Sequence, residues 1–490
     1  MTVAAIMTLD KIHAGIPLYQ QIANHLILHI RRGTLPKGYR LPGSRQLAKQ
    51  LGVQRGTVNA AYDELVIQGW VKAMPRSGFF VRNNLPDVSP QHWRQEDTEA
   101  LPYPEKTAYG LQQMDHLQLP LIKGLPGLAF NDGFPDLRLA PVQALGSHLR
   151  SIMLKPVYRR LLSYGNVEGN DALRVELSQY LNETRGLNTT PAHIFITRGS
   201  QMGIFLLAQT ILRPGDNVIV GQTNYHVANA SFVHAGANLF RVPVDKQGID
   251  VDAIAQLCAQ QPVRAVYVTS HHHYPTTVTL GADRRINLLA LARKYGFAII
   301  EDDYHYDFHY DSNPILPLAS ADTDGHVAYI GSFSKCIAPA FRVGYIVAPP
   351  NLLQVMGRLR RIIDRQGDSL LEQAVADLLK EGEIQRHLKK VRKIYQDRRD
   401  AFCRRLHDVL GDAVVFDPPA GGLAVWAGFD PAISLPRVAA RASKSGLYVS
   451  DGTVYNPPGI NLNSARLGFA ALAPEEMKQA IQILKESLQP

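Results

Sequence analysis

A lysine in the second half of the chain follows a short apolar stretch, and two hydroxyls precede it closely in Ser332-Phe333-Ser334-Lys335. Upstream, Asp302 and Tyr304 close another apolar stretch, and Arg342 lies seven residues beyond the lysine. Pyridoxal phosphate chemistry needs a lysine for a Schiff base, a carboxylate at the pyridine nitrogen, a group facing the ring hydroxyl and donors for the phosphate. The set therefore predicts a pyridoxal phosphate site, whereas the lysine alone would more simply be a surface residue.

A second group of residues, near the amino terminus, has the types and spacing of a winged helix-turn-helix. Ser44 is the predicted N-cap of the second helix, and the helix after it would enter the major groove of DNA by its amino end. The predicted helices are 18–32, 44–51 and 54–68, and the predicted hairpin is 70–74 with 78–81. The residues predicted to contact DNA are Ser44, Arg45, Gln54, Arg55, Gly56, Thr57 and, at the tip of the wing, Arg76.

The net charge of the chain is concentrated in the same region. Eleven lysine and arginine residues and three acidic residues give positions 1–82 a net charge of +8, against +9 for all 490 residues. An electropositive module of this kind suits a polyanion such as DNA. A winged helix used for protein contact is the alternative, because the fold alone does not imply DNA binding.

Composition sets the broad class of the protein. A length of 490 residues exceeds one ordinary core, and 46% hydrophobic with 19% charged residues is typical of a folded chain. The three cysteines, Cys258, Cys336 and Cys403, are widely spaced, which favours a reducing compartment over a disulfide framework. The sequence shows no signal-peptide pattern and no apolar run of membrane-spanning length, so we expect a cytoplasmic protein without membrane association.

The hydrophobic pattern predicts a multidomain chain. We predict a DNA-binding domain over 1–82, a proline-rich linker over 83–122 and an effector domain over 123–490. In the last of these, helices alternate with short apolar strands, which indicates an α/β fold with a mostly parallel sheet and helices on both faces. The predicted strands are 194–197, 217–220, 265–269, 298–301, 327–330 and 343–347.

Both halves resemble known families. Residues 17–62, with Leu41-Pro42-Gly43-Ser44-Arg45 and Gln54-Arg55-Gly56-Thr57, resemble the GntR winged helix, an α+β fold. Residues from about 125 to 487 resemble fold-type I pyridoxal phosphate-dependent aminotransferases, and the fusion is similar to the MocR/GabR family of bacterial transcriptional regulators. The segments that carry the second resemblance are 133–136, 164–169, 197–201, 301–304, 332–335 and 466–469.

The aminotransferase resemblance implies a role for each residue of the site. Lys335 would be the internal-aldimine lysine, Asp302 would pair with the pyridine nitrogen and Tyr304 would meet the ring hydroxyl. Tyr225 would stack on the ring, and Arg466 would bind the carboxylate of an amino-acid effector with its planar fork. The phosphate would be surrounded by Ser200, Gln201, Ser332, Ser334 and Arg342. The competing interpretations are an ordinary core residue for Tyr225 and a structural ion pair for Arg466.

Two segments depart from the pattern of these families. Residues 221–225 stand where such regulators often have Glu-Asp-Pro-Gly-Tyr, and no second arginine is evident there for a distal carboxylate. This disfavours a dicarboxylate or GABA-like ligand held at both ends. Tyr274 and Thr277 replace the Asn and Gly of the aminotransferase Asn-Pro-x-Gly turn. The departures favour ligand sensing over efficient turnover.

The run His271-His272-His273 raises the question of a metal site. Consecutive side chains on extended chain point to alternate faces, so three adjacent histidines do not readily converge on one ion. We therefore predict no metal, even with His305 and His309 elsewhere in the chain.

Together, these features predict a regulator that binds double-stranded operator DNA and senses pyridoxal phosphate, or its external aldimine with an amino acid or amine. The family resemblance implies a homodimer whose DNA-binding heads are swapped onto the partner. An active aminotransferase with an auxiliary winged helix is the alternative, and some transaminase activity is compatible with either interpretation. A regulator that has lost its cofactor is a third interpretation, against which Lys335, Asp302 and Arg342 argue.

Overall fold

The structure, a computed structural model, describes residues 17–85, 104–118, 127–311 and 315–488. The chain divides into two compact units, 1–110 and 111–490. Much of the predicted linker, at 86–103 and 119–122, lies outside the described residues.

The first unit contains three helices and a hairpin. They are α1 Leu18–Arg31, α2 Ser44–Leu51, α3 Arg55–Ile67, β1 Val71–Met74 and β2 Gly78–Val81. Ile22, Leu26 and Ile30 recur at helical spacing on α1 and pack in one buried cluster with Val58 and Leu65 of α3. The predicted helix-turn-helix and hairpin are therefore confirmed, with element ends that differ by one residue.

Two local features of this unit differ from the prediction. Gly43, not Ser44, occupies the N-cap of α2, and no side chain caps that end. Ser44 is instead the first helical residue, and its hydroxyl lies 3.4 Å from the Arg55 Nε. An isolated β-bridge also joins the hairpin to an earlier segment, because Arg40 pairs with Phe80 of β2 in antiparallel register. This contact ties the segment before α2 to the wing.

The second unit alternates strands and helices through its first half. These elements are β3 Leu128–Ala129, α4 Val142–Leu154, α5 Asp171–Arg185, β4 Ile194–Thr197, α6 Gly199–Ile211, β5 Asn217–Gly221, α7 His226–His234, β6 Asn238–Val242, β7 Val244–Asp245, β8 Gly248–Ile249, α8 Val251–Gln260, β9 Ala265–Val268, α9 Ala282–Tyr295, β10 Ala298–Asp303, α10 Leu318–Ala321, β11 Val327–Ser332 and β12 Gly344–Val347. The remainder consists of α11 Pro350–Ile363, α12 Ser369–Lys380, α13 Glu383–Leu410, β13 Val414–Val415, β14 Ala424–Phe429, α14 Leu435–Lys444, β15 Leu447–Tyr448, β16 Ser464–Gly468 and α15 Pro474–Leu488.

Seven strands form the central sheet, in the order β4-β12-β11-β10-β9-β5-β6. Every neighbouring pair is parallel except the two that involve β12, which runs against both β11 and β4. Neighbouring residues on β10 face opposite sides: Ile299 packs in one buried cluster with Leu288 of α9, and Ile300 in another with Leu207 of α6. The predicted mostly parallel sheet with helices on both faces is confirmed.

A smaller antiparallel sheet, β13-β14-β16, lies in the carboxyl-terminal part of the same unit. Its apolar residues, such as Val425 and Leu467, pack in one cluster with Phe402 of α13 and Ile481 of α15. This sheet carries Arg466 on β16, opposite Trp426 on β14. Among the described residues, no helix is both long and apolar enough to cross a membrane.

Candidate cofactor pocket and DNA-binding face

The predicted cofactor residues meet at one edge of the central sheet. Parallel strands bring their carboxyl ends to the same edge, which is where open α/β sheets bind ligands. Asp302 lies at the end of β10, and Lys335 follows the end of β11. The reversed strand β12 begins at the same edge, because Gly344 pairs with Ser332 and with Thr197. Arg342, just before β12, is therefore brought to the ends of the parallel strands.

The carboxylate of Asp302 is buried and only half satisfied. Its Oδ2 accepts a hydrogen bond from the Tyr267 hydroxyl at 2.7 Å, while its Oδ1 has no hydrogen-bond partner among the described residues. Burial raises the pKa of Asp302 to about 7, Asp303 pushes it the same way and the Tyr267 hydrogen bond opposes the shift. A buried acceptor without a donor is costly, so this carboxylate fits a protonated ring nitrogen.

Lys335 lies in the same pocket as Asp302. Its Nζ donates a hydrogen bond to the Gly133 carbonyl at 2.9 Å and lies 4.5 Å from the centre of the Phe134 ring. Burial lowers the pKa of Lys335 to about 8, Arg466 acts in the same direction and Asp132 opposes them. A lysine amine with a lowered pKa is a stronger nucleophile near neutral pH than a surface lysine.

Tyr304 and Tyr225 are further residues of the pocket wall. The Tyr304 hydroxyl donates to the carbonyl of His272 at 2.9 Å. The Tyr225 hydroxyl accepts a hydrogen bond from Gln201 Nε2 at 3.0 Å, and its ring meets the Tyr274 ring edge-on at 5.2 Å. Tyr225 is thus a partly buried residue of the pocket wall that also packs against one of the core clusters.

The amino end of α6 forms one side of the pocket through Ser200. Arg342 lies against Gly199, where a side-chain Cβ would come within 2.7 Å of the guanidinium, and Gly199 has a φ of +78°. The Ser332 hydroxyl donates a hydrogen bond to the Ser334 hydroxyl at 3.0 Å, in the loop that leads to Lys335. A helix amino end, an arginine and hydroxyls are the groups that bind phosphate. This end of the pocket therefore fits a phosphate group.

Arg466 is fully buried, and its guanidinium is incompletely paired. Its Nη1 donates to the carbonyl of Pro275 at 2.9 Å, and its Nε lies 3.4 Å from the Asp132 carboxylate. Its Nη2 has no hydrogen-bond partner within the described residues. The guanidinium also lies 5.3 Å from the centre of the Tyr274 ring. An ion pair is therefore present, although it does not satisfy the whole guanidinium.

The three consecutive histidines contact different neighbours. His271 pairs with the buried Asp303 at 3.0 Å, and the His273 Nε2 lies 3.0 Å from the Thr223 carbonyl. Burial lowers the pKa of His272 well below its usual range, and both of its ring nitrogens lack a hydrogen-bond partner in the described ranges. In the part of the chain that the structure describes, no group of three or more His, Cys, Asp or Glu side chains is placed to hold a metal ion.

The residues predicted to contact DNA lie at the starts of α2 and α3 and at the tip of the wing. Ser44 opens α2 and Arg55 opens α3, and their side chains meet at 3.4 Å. Arg45, Gln54, Arg55 and Gly56 are exposed and Thr57 is half-buried. Gln54, the N-cap of α3, makes no capping hydrogen bond, so neither helix start is capped by a side chain. Arg76, at the tip of the wing, is exposed and has a φ of +63°.

Known proteins resemble both units. Residues 18–81 match the family of bacterial regulatory proteins of gntR type, and residues 157–484 match aminotransferase class I and II. The HTH-type transcriptional regulator TauR of Rhodobacter capsulatus is 30% identical over 472 residues, covering 94% of each chain. The chain belongs to the MocR/GabR family.

Two further comparisons show that this MocR/GabR chain is similar to a regulator over nearly its whole length and to an enzyme over its second unit. The probable rhizopine catabolism regulatory protein MocR of Rhizobium meliloti is 26% identical over 488 residues, which covers 98% of this chain and 95% of that protein. The kynurenine aminotransferase of Pyrococcus horikoshii, solved in complex with PMP, has a TM-score of 0.69 and 28% identity. That match covers 74% of this chain and 90% of the enzyme.

Part of the pocket of this MocR/GabR chain was not predicted from the sequence. Five predicted residues line it, namely Lys335, Asp302, Tyr304, Tyr225 and Ser200. The pocket is also lined by Asp132, Phe134, Tyr267, Thr269 and Tyr274, for which no role was predicted. Asp132 adjoins the segment 133–136 that carried part of the resemblance, so its charge was a visible signal. Tyr267 gave none, because it lies within a buried apolar strand.

Proposed function

We propose that this protein is a pyridoxal phosphate-dependent, DNA-binding transcriptional regulator whose aminotransferase-like domain senses an amino compound. One observation carries the proposal: Lys335 and the half-satisfied carboxylate of Asp302 share one pocket, on the same chain as a GntR helix-turn-helix. Sensing uses the binding chemistry of an aminotransferase without requiring efficient turnover.

The cofactor is pyridoxal phosphate, which supplies an aldehyde and an electron-withdrawing ring when bound. Lys335 would hold it through its amine, and the free Oδ1 of Asp302 would accept a hydrogen bond from the ring nitrogen and keep the proton there. Tyr304 would face the ring hydroxyl and Tyr225 the ring itself. The phosphate would be held by Ser200, Gln201, Ser332, Ser334 and Arg342.

Arg466 would bind the carboxylate of an amino-acid effector. Its free Nη2 is buried, and a guanidinium edge without an acceptor favours a ligand that supplies one. An effector can change DNA binding only if it binds two arrangements of the regulator with unequal affinity. The sensing domain would therefore bias an equilibrium between two arrangements of the DNA-binding heads.

We infer that the protein acts in the cytoplasm as a homodimer whose heads are swapped onto the partner. Four exposed apolar side chains between 153 and 162 support a contact between copies, since Met153, Leu154, Val157 and Leu162 each have more than 70% of their surface exposed. Exposed apolar patches of this kind favour protein interfaces. Light scattering of the full chain would test for the dimer.

The proposed operator binding can be tested with the full chain and DNA from its own promoter region. Fluorescence anisotropy would measure the affinity without cofactor, with pyridoxal phosphate, and with cofactor plus each of a set of amines. We expect at least one amine to change the affinity of the wild type but not that of Lys335→Ala. Equal affinities under all these conditions would overturn the sensor role.

An active aminotransferase is the second candidate. Enzymes such as the Pyrococcus kynurenine aminotransferase have the same fold. In addition, Lys335 and Asp302 of this chain are both in place in the pocket. Turnover in the presence of an amino donor and a keto acceptor would favour this function. A pocket that binds amines and alters operator affinity without turnover would favour the regulator.

A further inference from the structure

Asp132 places a negative charge in the cofactor pocket, beside the residues that would meet an amino compound. It lines the same cavity as Lys335, and its side chain is 25% exposed. The turn that carries it is fixed, because the Asn131 Oδ1 accepts hydrogen bonds from the amides of Gly133 at 3.0 Å and Phe134 at 2.8 Å. A charge on such a turn is held in position before any ligand binds.

Two tyrosines hold the carboxylate of Asp132. Tyr274 donates a hydrogen bond to Oδ2 at 3.0 Å, and Tyr455 donates to Oδ1 at 3.3 Å. The Tyr455 ring also meets Trp426 edge-on at 5.3 Å and lies 6.1 Å from the Tyr274 ring. Of these three rings, Tyr274 lines the cavity with Asp132, and its face already meets the Arg466 guanidinium at 5.3 Å. The carboxylate of Asp132 is therefore the group that favours a cationic ligand.

The carboxylate of Asp132 also forms an ion pair with Arg466, and its Oδ1 lies 3.4 Å from the Arg466 Nε. Asp132 lines the cavity and is partly exposed, whereas the Arg466 side chain is fully buried. One ligand carboxylate can use the free Nη2 of Arg466. A second ligand carboxylate would face Asp132 without a cation to offset the repulsion, whereas a second ammonium would be attracted.

We propose that Asp132 makes this pocket selective for amino compounds with a second cationic group, a diamine or a diamino acid, over those with a second carboxylate. The inference rests on the proposed function, since it concerns the effector of that same site. In this proposal Asp132 acts as a specificity-determining residue for the effector.

The test is calorimetric titration of the cofactor-loaded full chain. The ligands are ornithine, 1,4-diaminobutane, glutamate and norvaline, which matches ornithine in chain length but lacks its second ammonium. We expect ornithine or 1,4-diaminobutane to bind at least about tenfold more tightly than glutamate and norvaline, as one partly exposed charge pair allows. In Asp132→Asn this preference falls about tenfold, whereas Asp132→Glu retains most of it. Asp283→Asn, on the exposed face of α9, is the control and leaves it unchanged.

Three results would overturn the selectivity of Asp132: glutamate binds as tightly as the diamino compounds, neither diamino compound binds, or the preference survives in Asp132→Asn. The ligand series on the wild type decides the first two even if the variant does not fold. Failure of the proposed function would give a different set of results. The wild type then lacks a visible cofactor absorption band or operator binding, and both are measured on the same sample.

Discussion

The Tyr267 hydroxyl donates a hydrogen bond to one oxygen of the Asp302 carboxylate at 2.7 Å, while the other oxygen is buried without a partner in the described part of the chain. Tyr267 lies on β9 and Asp302 on the neighbouring strand β10. The hydrogen bond orients the carboxylate, so its free oxygen is presented to the pocket that Lys335 also lines.

Replacing Asp302 with Asn should weaken pyridoxal phosphate binding about tenfold or more, because an amide carries no charge to stabilise a protonated ring nitrogen. Equilibrium dialysis of the full chain would measure the affinity. Tyr267→Phe should have a smaller effect, since it removes only the hydrogen bond that orients the carboxylate. Asp283→Asn is the surface control, and an Asp302→Asn variant with wild-type affinity would contradict the assigned role.

The rate at which the protein takes up pyridoxal phosphate should depend on pH through the amine of Lys335. Burial lowers the pKa of this amine to about 8, so the neutral, nucleophilic form increases as pH rises toward that value. We expect the rate to rise about tenfold per pH unit below pH 8 and to level off above it. Stopped-flow absorbance would follow it.

The charge of Asp132 provides a second test of this pH profile. Asp132 raises the pKa of Lys335 against the effect of burial, so Asp132→Asn should move the midpoint to lower pH. A rate that continues to rise well beyond pH 9 in the wild type would show that the amine has an ordinary pKa.

Arg55→Ala should weaken operator binding by roughly 10- to 100-fold, because Arg55 is exposed at the amino end of the helix that would enter the major groove. Anisotropy at several salt concentrations would measure the affinity. Arg404→Ala, on the exposed surface of α13, removes the same charge from the other unit and serves as the control. Equal losses in the two variants would indicate an effect of net charge alone.

The sequence predicted the fold class of both units, and it predicted only part of the pocket lining. Lys335 and Asp302 were predictable because their order along the chain matches that of a known family, and parallel strands bring such residues to one edge. The sheet β13-β14-β16 was not predicted, because its strands follow a long helical region in which the alternation of strands and helices has ended. We predicted Ser44 as the N-cap of α2 because serine is a common N-cap residue. In the structure Ser44 is already the first helical residue, so Gly43 is the N-cap.

Asp132 shows what sequence alone does not supply. An aspartate next to a glycine is typical of a turn, and nothing in the local pattern indicates a contact with Arg466, which lies more than three hundred residues later. The contact exists because Gly468 of β16 donates to the carbonyl of Asn131 at 2.9 Å and brings the two segments together.

Glu301 holds the start of α10, and its loss should destabilise the protein. Its carboxylate is fully buried and accepts hydrogen bonds from the Ser270 hydroxyl and from the amides of Leu318 and Ala319 at 2.9 and 3.0 Å. Glu301→Ala leaves these donors unpaired and should lower the free energy of unfolding by about 3 kcal/mol. Urea denaturation followed by fluorescence would measure it, and an unchanged midpoint would contradict the role of Glu301 as a buried acceptor.

The central claim is that Lys335 holds pyridoxal phosphate in this pocket. It is tested most directly by the absorption spectrum of the purified full chain, from the near ultraviolet to the blue, beside that of Lys335→Ala after both have been saturated with pyridoxal phosphate and freed of excess. We expect a visible band in the wild type that is lost in the variant. A wild type without such a band, or a variant that keeps it, would contradict the claim.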